Sequence, residues 1–483
     1  MSTLQKPKFK NLPHSSFGGA PLLLSLWNRF DFSLLLTQSG IFKKSGIATW
    51  KLSFLFVVGL IAHCTSCLQM VDFYAKDSLL RTIFEGKSVT QSVFSRFMTG
   101  DFNWNVFNLK RVSKFQEDAQ TRLVDGDIIA LDDTLIAHNY TKKMPFIYRL
   151  WDHCSESYIE AMNLVVLHAK KASGLHYPLL YRIWKKNNGI DPHATRLDLA
   201  LLLLEQLQNQ LPTPLKLWAC FDSGYYGIDF YLAVERLGFN WVTRAKINTP
   251  LFRKETIRGK ERYTAITSET LINEAKPIFL FWRKKGNLCM PFKNIYLITE
   301  EIHHGQGNLK EKIYKPINVV VSSYQEDDLK TGQMKQILAL FHSNQLEAPA
   351  EEIVRVYKQR WSIETLFRNG KQELGLNDCH STNENHIHAH LSLLLVAECL
   401  VRFAQWEINE KTGSKEEVTH GQVVELLFHT RCEVSAKSKD SIQIYFDMGS
   451  RKFASFFQKY WPNYITMNWF DFQRNWDLYP QSG

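Results

Sequence analysis

Apolar residues recur at helical spacing from Leu52 through Tyr74 and again from Leu79 through Met98, so the first 120 or so residues read as helical, punctuated by Gly86 and Gly100. From Asp127 the texture changes. Ile128-Ile129-Ala130-Leu131 is a short apolar run of the kind that forms a buried strand, and it ends in Asp132-Asp133-Thr134, which predicts acids at the strand's carboxyl end. Residues 163–170 and 175–184 flank Ser173-Gly174 and predict a hairpin; Thr195 to Gln210 is a Leu-rich helix closed by Pro212 and Pro214. Leu215 to Phe221 predicts a second buried strand, delivering Asp222-Ser223-Gly224, and a helix from Ile228 to Leu237 and a strand from Phe239 to Ala245 follow. Such alternation predicts an α/β fold around a mixed sheet.

The alternation stops near Lys246. Ile278 to Trp282, Ile295 to Ile298 and Ile317 to Val321 read as strands between basic turns, a β-rich insertion. Pro349 opens a helix whose first turn carries Glu351 and Glu352, acids that complement the positive end of the helix dipole, and the pattern predicts one helix to Leu374, stopped by Gly375. Gly370 inside it costs about 1 kcal/mol relative to Ala, which packing must offset. The expected division is a helical N-terminal region (1–122, DNA-binding), a core in two parts (123–245 and 346–410) around the insertion (246–345), and a C-terminal segment (411–483). That last segment, with Val423 to Phe428 and an aromatic tail of Phe453, Phe456, Phe457, Tyr460, Trp461 and Trp469, offers apolar surface for dimerisation or for packing onto the chain's own core.

A chain of 483 residues is too long for one ordinary core, which agrees with several units. The excess of 58 Lys+Arg over 48 Asp+Glu, net +10, favours an anionic partner, nucleic acid first. Eight scattered cysteines lack the density of a disulfide scaffold and suit a reducing cytoplasm; Cys64 and Cys67 have the spacing of half a zinc site, with no second Cys-x-x-Cys to complete it. Leu52 to Val71 approaches membrane-spanning length, but His63, Thr65, Ser66 and Gln69 interrupt it, so a buried helix is expected and no membrane. Asn28, Arg29 and Asp31 divide the apolar runs between Pro21 and Leu36, and no signal peptide is expected. Ser88 to Phe97 is either a short recognition helix or an ordinary amphipathic one.

The chemistry concentrates in YKQRWSIETLFRNGK. On an ideal helix, offsets of 3, 7 and 14 from Tyr357 place Arg360, Glu364 and Lys371 with it inside an arc of roughly 60°. Val356, Ile363, Phe367 and Leu374 form the adjoining apolar stripe. A carboxylate flanked by Arg, Lys and Tyr suits a site where a metal ligand and phosphate-binding cations converge; the alternative is an exposed face with Arg360 and Glu364 as an i, i+4 pair. Trp361 is placed to stack on a base or to pack against the sheet. Cys379, His380, His386, His388 and His390 do not share one helix face, and structural or solvated roles are expected of them.

This segment resembles the Tyr-Arg-Glu-Lys signature of the insertion-sequence-four group of DDE transposases, and the Asp-Asp-Thr and Phe-Asp-Ser-Gly-Tyr blocks resemble that group's other two acidic motifs, in the same order. The resemblance spans roughly Asp127 to Leu374. It implies a ribonuclease-H-like core interrupted by a β-rich insertion, with Asp133, Asp222 and Glu364 as catalytic and metal-binding acids. It also implies two Mg²⁺ ions, replaceable by Mn²⁺, and DNA contacts from Tyr357, Arg360 and Lys371. The implied partners are terminal inverted repeats and target DNA, met by a homodimer in a synaptic complex near the bacterial nucleoid. Three carboxylates suit the chemistry because two hard cations about 3.5 to 4 Å apart must be held with positions open to water and phosphate. Asp132 and Asp133 point to opposite faces of an extended strand, so one is the primary ligand; the motif selects Asp133, and a one-residue register shift would exchange them. Two alternatives stand beside this: a ribonuclease-H-like nuclease without strand transfer, and a retired transposase that binds DNA without cutting it.

Overall fold

The computed structural model describes residues 14–15, 17, 19–77, 80–81, 84, 86–139, 141, 143–187, 194–281, 288–303, 310–327, 334–412, 417–429, 431–438, 441–447 and 464–468. The chain divides into two compact units, one of residues 1–118, 136–161 and 366–483, the other of residues 119–135 and 162–365.

The first unit opens with a two-residue strand, β1 (His14–Ser15), and helices α1 (Ala20–Arg29), α2 (Phe32–Gln38), α3 (Thr49–Ile61), α4 (Cys67–Lys76), α5 (Gln91–Met98) and α6 (Trp104–Glu117). Every residue of α3 is buried. The apolar stretch 52–71 is therefore two helices, broken where His63 takes φ 57° and Ser66 caps α4 by accepting from the Gln69 amide. Phe30, Phe32, Phe107 and Phe115 pack ring against ring in this unit's core. Thr90 caps α5, which buries Phe94, Phe97 and Met98 and turns Gln91, Ser92 and Arg96 to solvent.

The second unit is built on a mixed sheet. In chain order the strands and helices here are β2 (Ile128–Ala137), β3 (Tyr148–Asp152, part of the first unit), β4 (Ser157–Lys170), β5 (His176–Ile183), α7 (Arg196–Gln208), β6 (Trp218–Phe221), α8 (Ile228–Arg236) and β7 (Asn240–Arg244). There follow β8 (Pro250–Ile257), β9 (Lys260–Thr267), α9 (Ser268–Phe281), β10 (Cys289–His303), β11 (Lys310–Asp327), β12 (Met334–Ser343), α10 (Ala350–Lys358) and α11 (Trp361–Glu373). The strand order is β4-β2-β6-β7-β12-β11-β10-β8-β9, with β5 paired to β4 and β3 paired to the first residues of β4 within the other unit. Strands β2, β6 and β7 are parallel; the pairings of β4 with β5, β7 with β12 and onward to β9 are antiparallel. Gly174, at φ 86°, turns the β4–β5 hairpin, a conformation that costs glycine nothing and a side chain much. Thr195 and Asp198 form a capping box that starts α7.

Even-numbered residues of the parallel strands (Ile128, Trp218, Cys220, Val242) pack in one cluster with Ala350, Ile353, Val354 and Val356 of α10. Odd-numbered Phe221 turns the other way, against Phe230 and Tyr231 of α8. This alternation decides which acids meet which helix.

Three sequence expectations need correction. Ile278 to Phe281 is the end of helix α9 and no strand, because Leu271, Ala275 and Phe279 bury one helical face at four-residue spacing while Ile278 stays exposed; Trp282 lies outside the described residues. The single helix from Pro349 to Leu374 is two, α10 and α11. Gln359, Arg360, Ser362 and Ile363 donate to carbonyls three residues back, so the ladder tightens to the 3₁₀ pattern and breaks without Gly or Pro. Strand β2 also does not end at its acids but runs on to Ala137.

The chain returns to the first unit with α12 (Glu384–Thr412) and α13 (His420–His429). A small antiparallel sheet there has the order β1, β13 (Arg431–Ser438), β14 (Ser441–Asp447), β15 (Tyr464–Asn468). Among the described residues, Glu384–Glu410 is the segment long and apolar enough to cross a membrane, and 94% of that apolar window is buried within the protein. Its Glu398 is buried, pairs with Arg402 at 2.7 Å and bonds His420 of α13 at 2.8 Å. The aromatic tail residues Phe453, Phe456, Phe457, Tyr460, Trp461 and Trp469 lie outside the described residues.

Candidate active site

The parallel register of β2 and β6 pairs Ile128 with Trp218 and Leu131 with Phe221, so Asp132 and Asp222 are the next residue on each strand. Two acids far apart in sequence are thereby delivered side by side at the carboxyl end of a parallel pair. Asp222 also caps the 3₁₀ turn Ser223–Tyr225, accepting from the Gly224 amide at 2.7 Å. A Cβ on Gly224 would stand 2.9 Å from that same carboxylate oxygen, which is why the turn has no side chain there.

The third acid, Glu364, comes from the first turn of α11, just after the break from α10. Val356 of α10 is buried in the cluster beneath the sheet, and the tightened turn after it swings Arg360 toward β2. Arg360 Nη1 donates to Asp132 Oδ2 at 2.5 Å, and Nη2 donates to Glu364 Oε1. The guanidinium bridges two carboxylates with its side chain 12% exposed, and its Nε is buried with no partner among the described residues. Tyr357 lies under the same guanidinium, 5.7 Å from ring centroid to Cζ, and packs on Phe341. Burial pushes the Tyr357 phenol up to about 12, so it stays a neutral donor.

Burial pushes the Asp132 carboxyl up to about 7, with Asp222 and Asp133 adding to the rise and Arg360 opposing it. Three carboxyl groups, Asp132, Asp222 and Glu364, thus share one guanidinium. Among the described residues no three His, Cys, Asp or Glu side chains stand together as a ready metal cage; Arg360 takes the place between Asp132 and Glu364.

Asp133 faces the other side of β2. Its carboxylate accepts from Asn163 Nδ2 at 2.6 Å, from the Tyr225 hydroxyl at 3.1 Å and from Arg196 Nη1 at 3.1 and 3.2 Å. Thus Asp132, Asp222, Tyr357, Arg360 and Glu364 are brought together, while Asp133 engages a separate set of donors. Lys371 falls in the first unit, where burial lowers its pKa and Asp152 opposes that shift. Trp361 is 60% exposed, so it does not pack under the sheet. His390 is buried and bonded to the Gly375 carbonyl at 3.0 Å, and the His388 ring meets Phe146. Sequence reasoning missed Arg196 and Asn163. The capping box marks Arg196 as the first residue of a helix, but nothing in the sequence places that residue opposite Asp133.

Comparison with known proteins bears on the same span. The family model described as transposase DDE domain matches residues 124–400, which include both acid-bearing strands and Glu364. The transposase for insertion sequence element IS231B of Bacillus thuringiensis subsp. berliner is 22% identical over 192 residues, 36% of this chain and 39% of that protein. The transposase for IS231E of Bacillus thuringiensis subsp. finitimus is 22% identical over 191 residues, with the same coverage. A probable transposase for IS5377 of Geobacillus stearothermophilus is 30% identical over 86 residues, 18% of this chain and 22% of that protein. The match thus spans well under half the length of these relatives. Since the family model covers more than half of the chain, acids included, the chain belongs to the transposase DDE domain family.

Proposed function

We propose that this protein is a transposase that cuts and rejoins insertion-sequence DNA ends by metal-dependent phosphoryl transfer, using Asp132, Asp222 and Glu364. The observation that carries the proposal is the Arg360 bridge from Asp132 to Glu364 beside Asp222, which gathers acids from three separate sequence blocks. What favours Asp132 over Asp133 is the face of β2: Asp132 looks toward α10 and α11, and Asp133 toward Arg196 and Tyr225. The order β5-β4-β2-β6-β7, with its parallel centre, supports a ribonuclease-H-like core, and β8 to β12 supply the β-rich insertion. The spacing of Tyr357, Arg360, Glu364 and Lys371 supports the insertion-sequence-four group.

Three carboxyl groups facing a single guanidinium supply the hard oxygen donors that divalent cations such as Mg²⁺ or Mn²⁺ take. Held by Asp132, Asp222 and Glu364, two such ions would activate water and stabilise the departing 3′ oxygen. The chain's own contribution is placement. Arg360 is a planar fork suited to a phosphate as well as to carboxylates, so it can exchange its bridging bonds for a phosphodiester. Tyr357 stays protonated and offers a hydroxyl donor, and exposed Trp361 offers a flat face to an unpaired base. Lys371 is proposed as a further DNA contact, and the polar face of α5 as part of end recognition by residues 1–122.

One acid site per chain makes a homodimer the simplest way to process two element ends in concert, inside a bacterial cytoplasm where the DNA lies. The test is an assay with DNA carrying the inverted repeats that flank the gene, resolving cleaved from joined products. Joined products distinguish a transposase; cleavage alone identifies the nuclease alternative, and binding without cleavage the retired transposase.

A further inference from the structure

Asp133 sits one residue from the proposed metal-binding acid yet spends its carboxylate on three neutral or cationic donors: Asn163, Tyr225 and Arg196. Tyr225 is fully buried and Asn163 nearly so, while the Arg196 side chain is 52% exposed. The network is thus anchored inside and ends in a cation at the surface. The bonds from Arg196 to Asp133 use Nη1, so Nε and Nη2 are left for another acceptor among the described residues. Arg196 also feels the charge of Asp222, the acid that follows the neighbouring strand β6. An isolated surface ion pair contributes little to stability, but an arginine fixed on a partly buried carboxylate, itself held by buried Tyr225 and Asn163, has lost rotamer freedom in advance and binds an anion at lower entropic cost.

We propose that Arg196 is a phosphate-contacting residue of the DNA site and that Asp133 is its positioning residue, rather than a metal ligand. The ligand is a phosphodiester of the DNA strand entering between α7 and the acids, so the proposal rests on the transposase reading. Asp133, with Tyr225 and Asn163 behind it, holds the guanidinium toward the strand. Arg360 approaches the acids from the α10–α11 break and Arg196 from the start of α7, so the reacting strand meets cations on two sides.

The test uses the full chain and a fluorescein-labelled duplex carrying one flanking inverted repeat, titrated by anisotropy in EDTA over a series of salt concentrations. Arg196→Ala should lower the slope of log K against log salt by about one, the loss of one phosphate contact, and Arg196→Lys should retain the slope. In Mg²⁺, Arg196→Ala should raise KM for cleavage more than it lowers kcat. The double variant Asp133→Asn/Arg196→Ala should behave as Arg196→Ala alone, because Asp133 acts through Arg196. An unchanged slope in Arg196→Ala, with circular dichroism like the parent, overturns the proposal. So does a double variant whose losses multiply, or an Asp133→Asn variant as inactive as Asp222→Asn. Asp222→Asn separates the two readings: if it still cleaves, the transposase reading fails, while the metal-free slope still decides the role of Arg196.

Discussion

Arg360 reaches Asp132 across 228 positions of sequence, Nη1 to Oδ2 at 2.5 Å, and the same guanidinium holds Glu364. Arg360→Ala should leave two partly buried carboxylates without their counter-charge. Cleavage should fall on the order of 100-fold, as when one preorganised electrostatic partner is lost. The stability cost should be about 3 kcal/mol near pH 8 and smaller near pH 6, where Asp132 can take a proton in place of its partner. Arg360→Lys should not restore activity, since an ammonium lacks the fork that spans two carboxylates. Steady-state cleavage and urea unfolding at the two pH values check both parts.

The pH dependence of Asp132 has a definite sign. Its carboxyl is raised from 3.8 to about 7, chiefly by burial, so between those values the folded protein holds more protons than the unfolded chain. Stability through this group is therefore fully present below the lower value and is lost as pH rises through about 7. In metal-free protein, the stability of the parent relative to Asp132→Asn should be greater near pH 5 than near pH 8, as read by urea midpoints. A difference that grows with pH would contradict the assignment.

Gly224→Ala should injure the site more than the fold. The added Cβ would stand 2.9 Å from Asp222 Oδ1 and displace the carboxylate from the amide it accepts. No positive φ is involved at Gly224, so backbone strain is not the cause. Cleavage should drop at least about 10-fold with a melting temperature within a few degrees of the parent. Equal activity would mean that Asp222 does not need this turn.

Much of this arrangement was legible in the sequence. The β4–β5 hairpin, the α7 helix and the buried runs leading into Asp132 and Asp222 follow from alternation, Gly174 and short apolar stretches, all local signals, whereas the pairing of β2 with β6 is a long-range one. Other features needed tertiary information. The break at Gln359 and Arg360 has neither Gly nor Pro to announce it, and it splits the expected single helix ahead of Glu364 and Lys371, which stay together on α11. The choice between Asp132 and Asp133 depends on which face of β2 receives α10, which no residue near the acids encodes. Ile278 to Phe281 is apolar enough for either strand or helix, and Leu271 and Ala275 upstream decide it.

Trp361 is exposed by 60% beside Arg360, so its removal should not unfold the protein. Trp361→Ala should weaken binding to a DNA end with unpaired terminal bases by about 1 to 3 kcal/mol, the usual worth of one base–aromatic stack, and leave binding to fully paired duplex nearly unchanged. Equal losses on both probes would assign the Trp to general DNA contact instead.

The central claim is that Asp132, Asp222 and Glu364 form one metal-dependent active site. Its most direct measurement is cleavage of DNA carrying the flanking inverted repeats in Mg²⁺ by the parent and by Asp132→Asn, Asp222→Asn, Glu364→Gln and Asp133→Asn, with metal-free DNA binding measured in parallel. The account predicts that the first three variants lose cleavage by at least about 1000-fold while still binding DNA, and that Asp133→Asn retains a measurable rate with raised KM. Full activity in any of the first three, or loss confined to Asp133→Asn, would contradict it.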